Sequence, residues 1–244
     1  MIFSLEMVKL SVLSVDGLDS GAVLFVATET ERILFNCSEG TQRLCVEHKV
    51  RLSKLSSIFM TDISHEATGG LPGLCLTLAD AGRRSVSIWG PRGLNNIWET
   101  ASTFCRRDSI SISVEEQSES LQSKSYSFSG LDVRSLYVRS SHLCYVCTTP
   151  RLQGKFNIEK AKQLNVPKGP LYAKLKSGFE VTLADGRTVS PSDVLDEAEG
   201  EKCLAIICNL VNCKEYDINR CLADPFWDRY INYFWQLKYN IDMS

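Results

Sequence analysis

Residues 56–74 read SSIFMTDISHEATGGLPGL, and they decide the fold of the chain around them. The apolar run from Ile58 to Thr61 predicts a short β-strand, which a polar turn follows. Gly69 and Gly70 then open a helix that carries several leucines. A strand that ends in a polar loop before a helix N-terminus is a common place for a metal or an anion. The stretch therefore predicts an α/β segment with the shape of a functional site.

This stretch resembles the metal-binding loop of the metallo-β-lactamase-fold nucleases, above all the tRNase Z family of tRNA 3′-processing endonucleases. The shared frame is Phe59-x-Thr61 followed by the run from Thr68 to Leu74, TGGLPGL. The family's loop carries His-x-His-x-Asp-His, and its four ligand positions fall here on Asp62, Ser64, Glu66 and Ala67. None of these is histidine, and His65 occupies a spacer position. The resemblance thus implies a loop that keeps the frame without the metal ligands.

Two further segments carry the same resemblance. The segment from Phe35 to Arg43, FNCSEGTQR, is similar to the family's Phe-Asp-Cys-Gly-Glu-Gly-Thr-Gln, and Ser38 is predicted to cap a helix that runs to about His48. The apolar run Cys203 to Cys208 predicts a strand, and Asn209 stands where catalytic relatives have a metal-bridging aspartate. A neutral amide is a poor bridge between two cations.

The histidine content agrees with these substitutions. The chain has three histidines, at positions 48, 65 and 142, with neither H-x-H nor i, i+4 spacing, whereas a two-zinc centre needs several converging imidazoles and carboxylates. We therefore predict no catalytic residue, metal ligand or cofactor in this chain. Zinc is expected only in a separate catalytic half of the enzyme, outside this sequence. Asp62, Glu66 and Asn209 are predicted to be ordinary polar surface. An enzyme with an unusual metal set drawn from those three residues is an alternative.

Composition bounds the remaining function classes. A chain of 244 residues with 44% hydrophobic content suffices for one α/β core, and a net charge of −2 leaves nucleic-acid binding to a local patch. The ten cysteines stand mostly alone in apolar runs, which is typical of reduced thiols, and Cys144-x-x-Cys147 is interpreted as structural in preference to half a zinc site. We expect no secretory signal and no membrane span.

A local excess of positive charge lies in residues 151–187, which contain eight Lys or Arg and three acidic residues. Asn157 is predicted to cap a helix to about Leu164, a stiff turn is expected at 167–170, and a hairpin around 184–186. Charge alone is also compatible with a solvent-exposed amphipathic segment that has no binding role. The motifs GKFN at 154–157, VPKGPLY at 166–172 and KLKSG at 174–178, however, look like the flexible arm with which tRNase Z holds the elbow of tRNA. The residues that this resemblance assigns to RNA binding are Lys155, Lys160, Lys162, Lys168, Gly169, Pro170, Lys174 and Lys176.

The sequence thus predicts an α+β protein, a metallo-β-lactamase-like αββα sandwich over residues 1–244 with a protruding basic arm inserted at 151–187. Long-form tRNase Z contains two such folds, and this chain resembles its amino-terminal half, which keeps the arm without the ligands. The implied function is non-catalytic: the arm binds precursor tRNA and supports a catalytic carboxy-terminal half in the same or another chain. The expected location is intracellular: nucleus, mitochondrion or cytosol. The alternative is a non-catalytic protein-interaction scaffold that uses the arm and an aromatic tail at 217–244.

Overall fold

A computed structural model describes residues 2–5, 8–14, 21–105, 107–118, 120–121, 123–139, 141–149, 156–183, 186–196 and 203–208. The chain divides into two compact units, one formed by Met1–Thr148 and the chain from Cys203 onward, the other by Thr149–Lys202. The second unit contains the predicted arm and extends beyond it on both sides. Over the described part of the chain, no helix has the length and apolar character needed to cross a membrane.

The first unit is built on a seven-stranded sheet whose spatial order equals its chain order. The strands are β1 Ile2–Leu5, β2 Val8–Ser14, β3 Val23–Ala27, β4 Arg32–Phe35, β5 Leu55–Phe59, β6 Ser85–Pro91 and β7 Ser111–Gln117. Strands β1 to β4 pair antiparallel, and β4 to β7 pair parallel. Parallel neighbours need crossover connections, and helices supply them here.

Helices cover one face of this sheet. They are α1 Thr41–Glu47, α2 His65–Thr68, α3 Leu71–Asp80 and α4 Leu94–Cys105. Side chains alternate in direction along a strand, so Leu34 and Ile58 point to this face and form a core with Leu74 and Leu78 of α3. The alternate residues therefore serve a second core on the opposite face.

A four-stranded antiparallel sheet packs on that opposite face. Its order is β13-β10-β9-β8, with β8 Ser123–Phe128, β9 Leu131–Arg139, β10 His142–Thr148 and β13 Cys203–Cys208. The intervening core is aromatic: Phe59 lies with its ring centroid 5.2 Å from those of Phe35 and Tyr145, and the Tyr145 hydroxyl donates to the Met60 carbonyl at 2.9 Å. The described residues of this unit thus form three layers, helix, sheet and sheet.

The second unit has its own core. Its elements are α5 Ile158–Gln163, α6 Pro170–Lys176, β11 Val181–Thr182, β12 Thr188–Val189 and α7 Pro191–Val194. Seven buried side chains hold them together: Ala161, Val166, Leu175, Val181, Leu183, Val189 and Val194. The paired strands β11 and β12 confirm the predicted hairpin, although Ala184 and Asp185 of its turn lie outside the described residues.

Most predicted elements are confirmed with shifted ends, and several others were wrong or missed. The helix predicted from Ser38 begins at Thr41, because Gly40 with φ of 77° reverses the chain just before it. Ser38 does not cap this helix through its hydroxyl, which is buried and has no hydrogen-bond partner among the described residues. Strand β1 and the short helices α2, α6 and α7 were not predicted. Proline at the first position of α6 fits a helix start as well as a turn, so the local sequence does not distinguish the two.

The cysteines follow the prediction with one exception. Six described cysteines are free, and burial raises the pKa of Cys45 to about 11 and that of Cys75 to about 12, which leaves these thiols protonated and unreactive. Cys144 and Cys147 project from opposite faces of β10, as a structural pair would. Cys144, however, is disulfide-bonded, so the prediction of reduced thiols is wrong there. The residue opposite it in the β10–β13 register is Cys208.

Candidate functional site

The loop after β5 is held by the segment that follows β4, so the two motifs singled out in the sequence lie side by side. The Asn36 N–H donates to the Phe59 carbonyl at 2.8 Å, the Cys37 N–H to the Ala67 carbonyl at 2.6 Å, and the Gly70 N–H to the Cys37 carbonyl at 2.8 Å. A Cβ at Gly70 would lie 2.1 Å from the Ser38 carbonyl oxygen. Glycine is therefore required there for the two backbones to approach each other.

Asn36 is the side chain that joins the two segments. It adopts a left-handed conformation with φ of 59°, which Asn tolerates better than most residues. Its Oδ1 accepts hydrogen bonds from the Thr61 N–H at 2.9 Å and the Thr61 hydroxyl at 3.0 Å. We did not single out Asn36 in the sequence, although asparagine directly after a strand is a signal for this conformation.

Asp62 stands at the first ligand position, and its carboxylate serves the loop itself. The residue is 1% exposed. One oxygen accepts from the Ser64 N–H at 2.8 Å, and the other from the Thr61 hydroxyl at 2.9 Å. An isolated β-bridge also pairs Asp62 with His142, the first residue of β10. The prediction that Asp62 is ordinary polar surface is wrong: it is a buried turn-forming residue.

The other three ligand positions have different local roles. Ser64 caps α2, where its hydroxyl accepts from the Ala67 N–H at 3.4 Å. Glu66 is exposed and lies 3.2 Å from Nδ1 of His65, which is itself exposed. The backbone N–H of Glu66 and, next, the Ser64 hydroxyl hold the pKa of the Glu66 carboxyl below its ordinary value. Ala67 is buried and has no ligand atom.

These residues do not fit a two-zinc centre. Zinc requires several imidazole, thiolate or carboxylate ligands that converge with free lone pairs. Asp62 uses both oxygens within the loop, Glu66 faces solvent, and no three His, Cys, Asp or Glu among the described residues are grouped to hold a metal. The remaining histidines are dispersed, with His48 exposed at the end of α1 as predicted. Asn209, the third member of the alternative metal set, lies outside the described residues.

The basic residues of the second unit fall into two classes. Lys160 is engaged within the unit: its Nζ donates to the Leu195 carbonyl at 2.9 Å and lies 3.2 Å from Oδ1 of Asp196. Asn157 caps α5 as predicted and also donates from Nδ2 to the same Asp196 oxygen at 2.8 Å. These hydrogen bonds from Asn157 and then Lys160 lower the pKa of Asp196. We call Asn157, Lys160 and Asp196 the latch; sequence reasoning missed Asp196 because it lies 36 positions after Lys160.

The second class consists of exposed cations. Lys176 lies with Nζ 5.3 Å from the ring centroid of Phe156, an arrangement that leaves its charge uncompensated. Lys162, Lys168 and Lys174 are exposed and have no side-chain partner in the described ranges. Lys155, the remaining predicted RNA contact among the lysines, lies outside those ranges. Within the described ranges, the unit therefore presents four exposed lysines, at positions 162, 168, 174 and 176, that form no ion pair with a carboxylate.

Gly169 and Pro170, also predicted to serve the arm, form the start of α6. Gly169 has φ of 134° and ψ of −137°, a conformation that residues with a side chain rarely adopt. Pro170 follows at the first helical position, where its missing N–H costs nothing. Together they fix the direction of α6, which carries Lys174 and Lys176.

Comparisons with known proteins identify proteins to which this chain is similar. The sequence model of the tRNase Z endonuclease family matches residues 11–70, a range that includes the segment from Phe35 to Arg43 and the loop after β5 as far as Gly70. The chain is 36% identical over 198 residues to the mitochondrial ribonuclease Z of Drosophila melanogaster, covering 79% of this chain and 26% of that one. It is 34% identical over 200 residues to the mitochondrial tRNase Z TRZ3 of Arabidopsis thaliana, covering 74% and 22%.

Among solved structures, the long-form RNase Z from yeast matches with a TM-score of 0.48 and 29% identity, over 53% of this chain and 18% of that one. The chain spans about a quarter of the length of the two relatives above. The metallo-β-lactamase-like fold class predicted from the sequence is confirmed. The described residues of the first unit form its two facing sheets and the helices on one side of them. From its matched motifs and its identity to these relatives along three quarters of its length, the chain belongs to the tRNase Z family.

Proposed function

We propose that this chain corresponds to the non-catalytic, amino-terminal half of a tRNase Z. We also propose that it binds precursor tRNA through the unit at 149–202. The observation that carries the proposal is the set of exposed, uncompensated lysines at 162, 168 and 174, with Lys176 beside them in sequence. Ammonium groups attract RNA phosphates regardless of sequence, which suits a substrate class that shares a shape. The unit's own core supports a preformed binding surface.

The non-catalytic part of the proposal rests on the loop after β5. Its four ligand positions hold a hydrogen-bonded buried aspartate, a helix cap, an exposed glutamate and an alanine. Catalysis of trailer removal would then belong to a carboxy-terminal half, in the same or another chain, that carries zinc. The names of two relatives place those proteins in mitochondria, and we propose a mitochondrial, nuclear or cytosolic location for this chain.

The proposal is tested by measuring tRNA affinity across a salt series. Lys162, Lys168 and Lys174 are replaced together by alanine, and the matched control replaces three exposed cations of the first unit, Lys9, Arg51 and Lys54. Each lost phosphate contact removes somewhat less than one unit from the slope of log affinity against log salt, so the triple variant should lose roughly 2 to 3 units.

The control variant should keep the parent's slope and affinity. If the lysine variant and the control bind tRNA equally well, the second unit does not contact RNA. The better hypothesis would then be a protein-interaction scaffold in which the same unit contacts a protein partner.

A further inference from the structure

Phe179 is an exposed aromatic residue that the structure of the second unit holds in a fixed place. It lies directly after α6, where its N–H donates to the Lys174 carbonyl at 3.1 Å and the Gly178 N–H donates to the Leu175 carbonyl at 3.1 Å. Gly178 has φ of 85°. This pair of hydrogen bonds with a left-handed glycine is the Schellman motif, which satisfies the last carbonyls of a helix.

The motif makes the exposure of Phe179 unusual. The residue at this position commonly makes an apolar contact with the last turn of its helix, but that turn offers Ala173 and Lys174 here. Phe179 also lies two positions before Val181 and four before Leu183, a spacing that would place the three side chains on one side of an extended segment. Both Val181 and Leu183 are buried in the core of the unit. Its side chain nevertheless remains 66% exposed and belongs neither to that core nor to the partly buried residues around it.

The surroundings of Phe179 indicate what it could contact. Lys174 joins it through the backbone hydrogen bond and has no side-chain partner in the described residues, and Lys176 lies three positions before it. Glu180, directly after Phe179, is exposed as well, so the ring has two lysines and one carboxylate near it in sequence. An exposed aromatic ring close to lysines is a combination with which proteins hold unstacked bases, because the ring takes the base while the cations take the adjoining phosphates. A purely apolar protein partner would leave these lysines without an opposite charge.

We propose that Phe179 stacks on an unstacked base of the bound RNA, next to the phosphates that Lys174 and Lys176 contact. This inference rests on the proposed function, because it assigns a base contact to the surface that binds precursor tRNA through its phosphates. It adds a contact of a different kind: base stacking depends little on salt, whereas phosphate contacts set the slope of affinity against salt.

The test compares three substitutions in the full chain: Phe179→Ala, Phe179→Leu and Phe179→Trp. The alanine and leucine variants should each bind precursor tRNA about 5- to 150-fold more weakly than the parent, which is the range that one base–aromatic stack accounts for. The tryptophan variant should bind at least as tightly as the parent. All three should keep the parent's salt slope.

The matched control is Phe104→Ala, which removes a phenylalanine that is 75% exposed on α4 of the first unit and should leave affinity unchanged. Unfolding curves should coincide for all variants, because both phenylalanines are exposed. Parent-like affinity of Phe179→Ala, or leucine performing as well as tryptophan, overturns the stacking role. If the triple lysine variant loses its salt slope while Phe179→Ala binds normally, only this inference fails; if neither changes binding, the proposed function fails as well.

Discussion

Asp62 is a charged residue in the interior of the fold, and its burial is explained by what it accepts. Without this carboxylate the Ser64 N–H would lose its acceptor, whereas the Thr61 hydroxyl would still have the Asn36 Oδ1 to donate to. Leaving buried donors unsatisfied costs about 1–3 kcal/mol. The residue at a former ligand position thus contributes to the shape of the loop.

We predict that Asp62→Ala lowers the free energy of unfolding by about 1–3 kcal/mol, because the Ser64 N–H is left without an acceptor. The matched control is Glu66→Ala, four positions along the same loop, which removes an exposed side chain and should leave the unfolding curve close to the parent's. Urea unfolding followed by circular dichroism measures both. Equal stability of the two variants would show that the Asp62 hydrogen bonds contribute nothing net.

At the scale of elements, the latch of Asn157, Lys160 and Asp196 connects the first helix of the second unit to the segment after its last helix. All three residues are at least partly exposed, so solvent screens the ion pair and its own contribution to stability is small. The pKa of Asp196 is lowered in the folded chain, and its share of stability is therefore present above the ordinary aspartate pKa and is lost in acid, as the pH falls through the lowered value. At neutral pH, therefore, the Asp196 carboxylate is ionised and paired with Lys160.

We predict that Lys160→Ala leaves the salt slope of tRNA binding close to the parent's, because this ammonium is already paired within the unit. The variant should instead make the segment around 195–196 more susceptible to protease under native conditions. Lys162→Ala, two positions away and exposed, is the matched control: it should lower the slope by somewhat less than one unit and leave proteolysis unchanged. The reverse pattern would mean that Lys160 contacts RNA and that the latch is not needed.

Sequence patterns found the elements of this chain better than the pairings between them. The apolar run at Ile58 located β5 with shifted ends, and the Asn157 cap located α5, since both signals are local. The Asp196 partner of Lys160 and the buried setting of Asp62 depend on contacts between residues far apart in the chain or on burial by other elements. Helix α6 was missed because Gly-Pro is compatible with a turn and with a helix start alike.

At the scale of the whole molecule, the two units divide the proposed task. The first keeps the layered fold and a loop that satisfies its own polar groups. The second keeps a separate core beneath exposed cations. Under the proposed function, this chain supplies affinity for precursor tRNA, and the metal ligands of the catalytic step belong to a carboxy-terminal half.

The last prediction follows from that division. The purified chain should bind zinc below stoichiometry and should not remove the 3′ trailer of a precursor tRNA when zinc is added, because the loop offers no converging set of free ligands. Elemental analysis and a cleavage assay measure this. Asp62→Ala controls for residual metal chemistry: any trace of cleavage from a contaminating nuclease should be unaffected by it. Stoichiometric zinc, together with cleavage that Asp62→Ala abolishes, would make the chain an enzyme with an unusual metal set and would contradict the proposed division of labour.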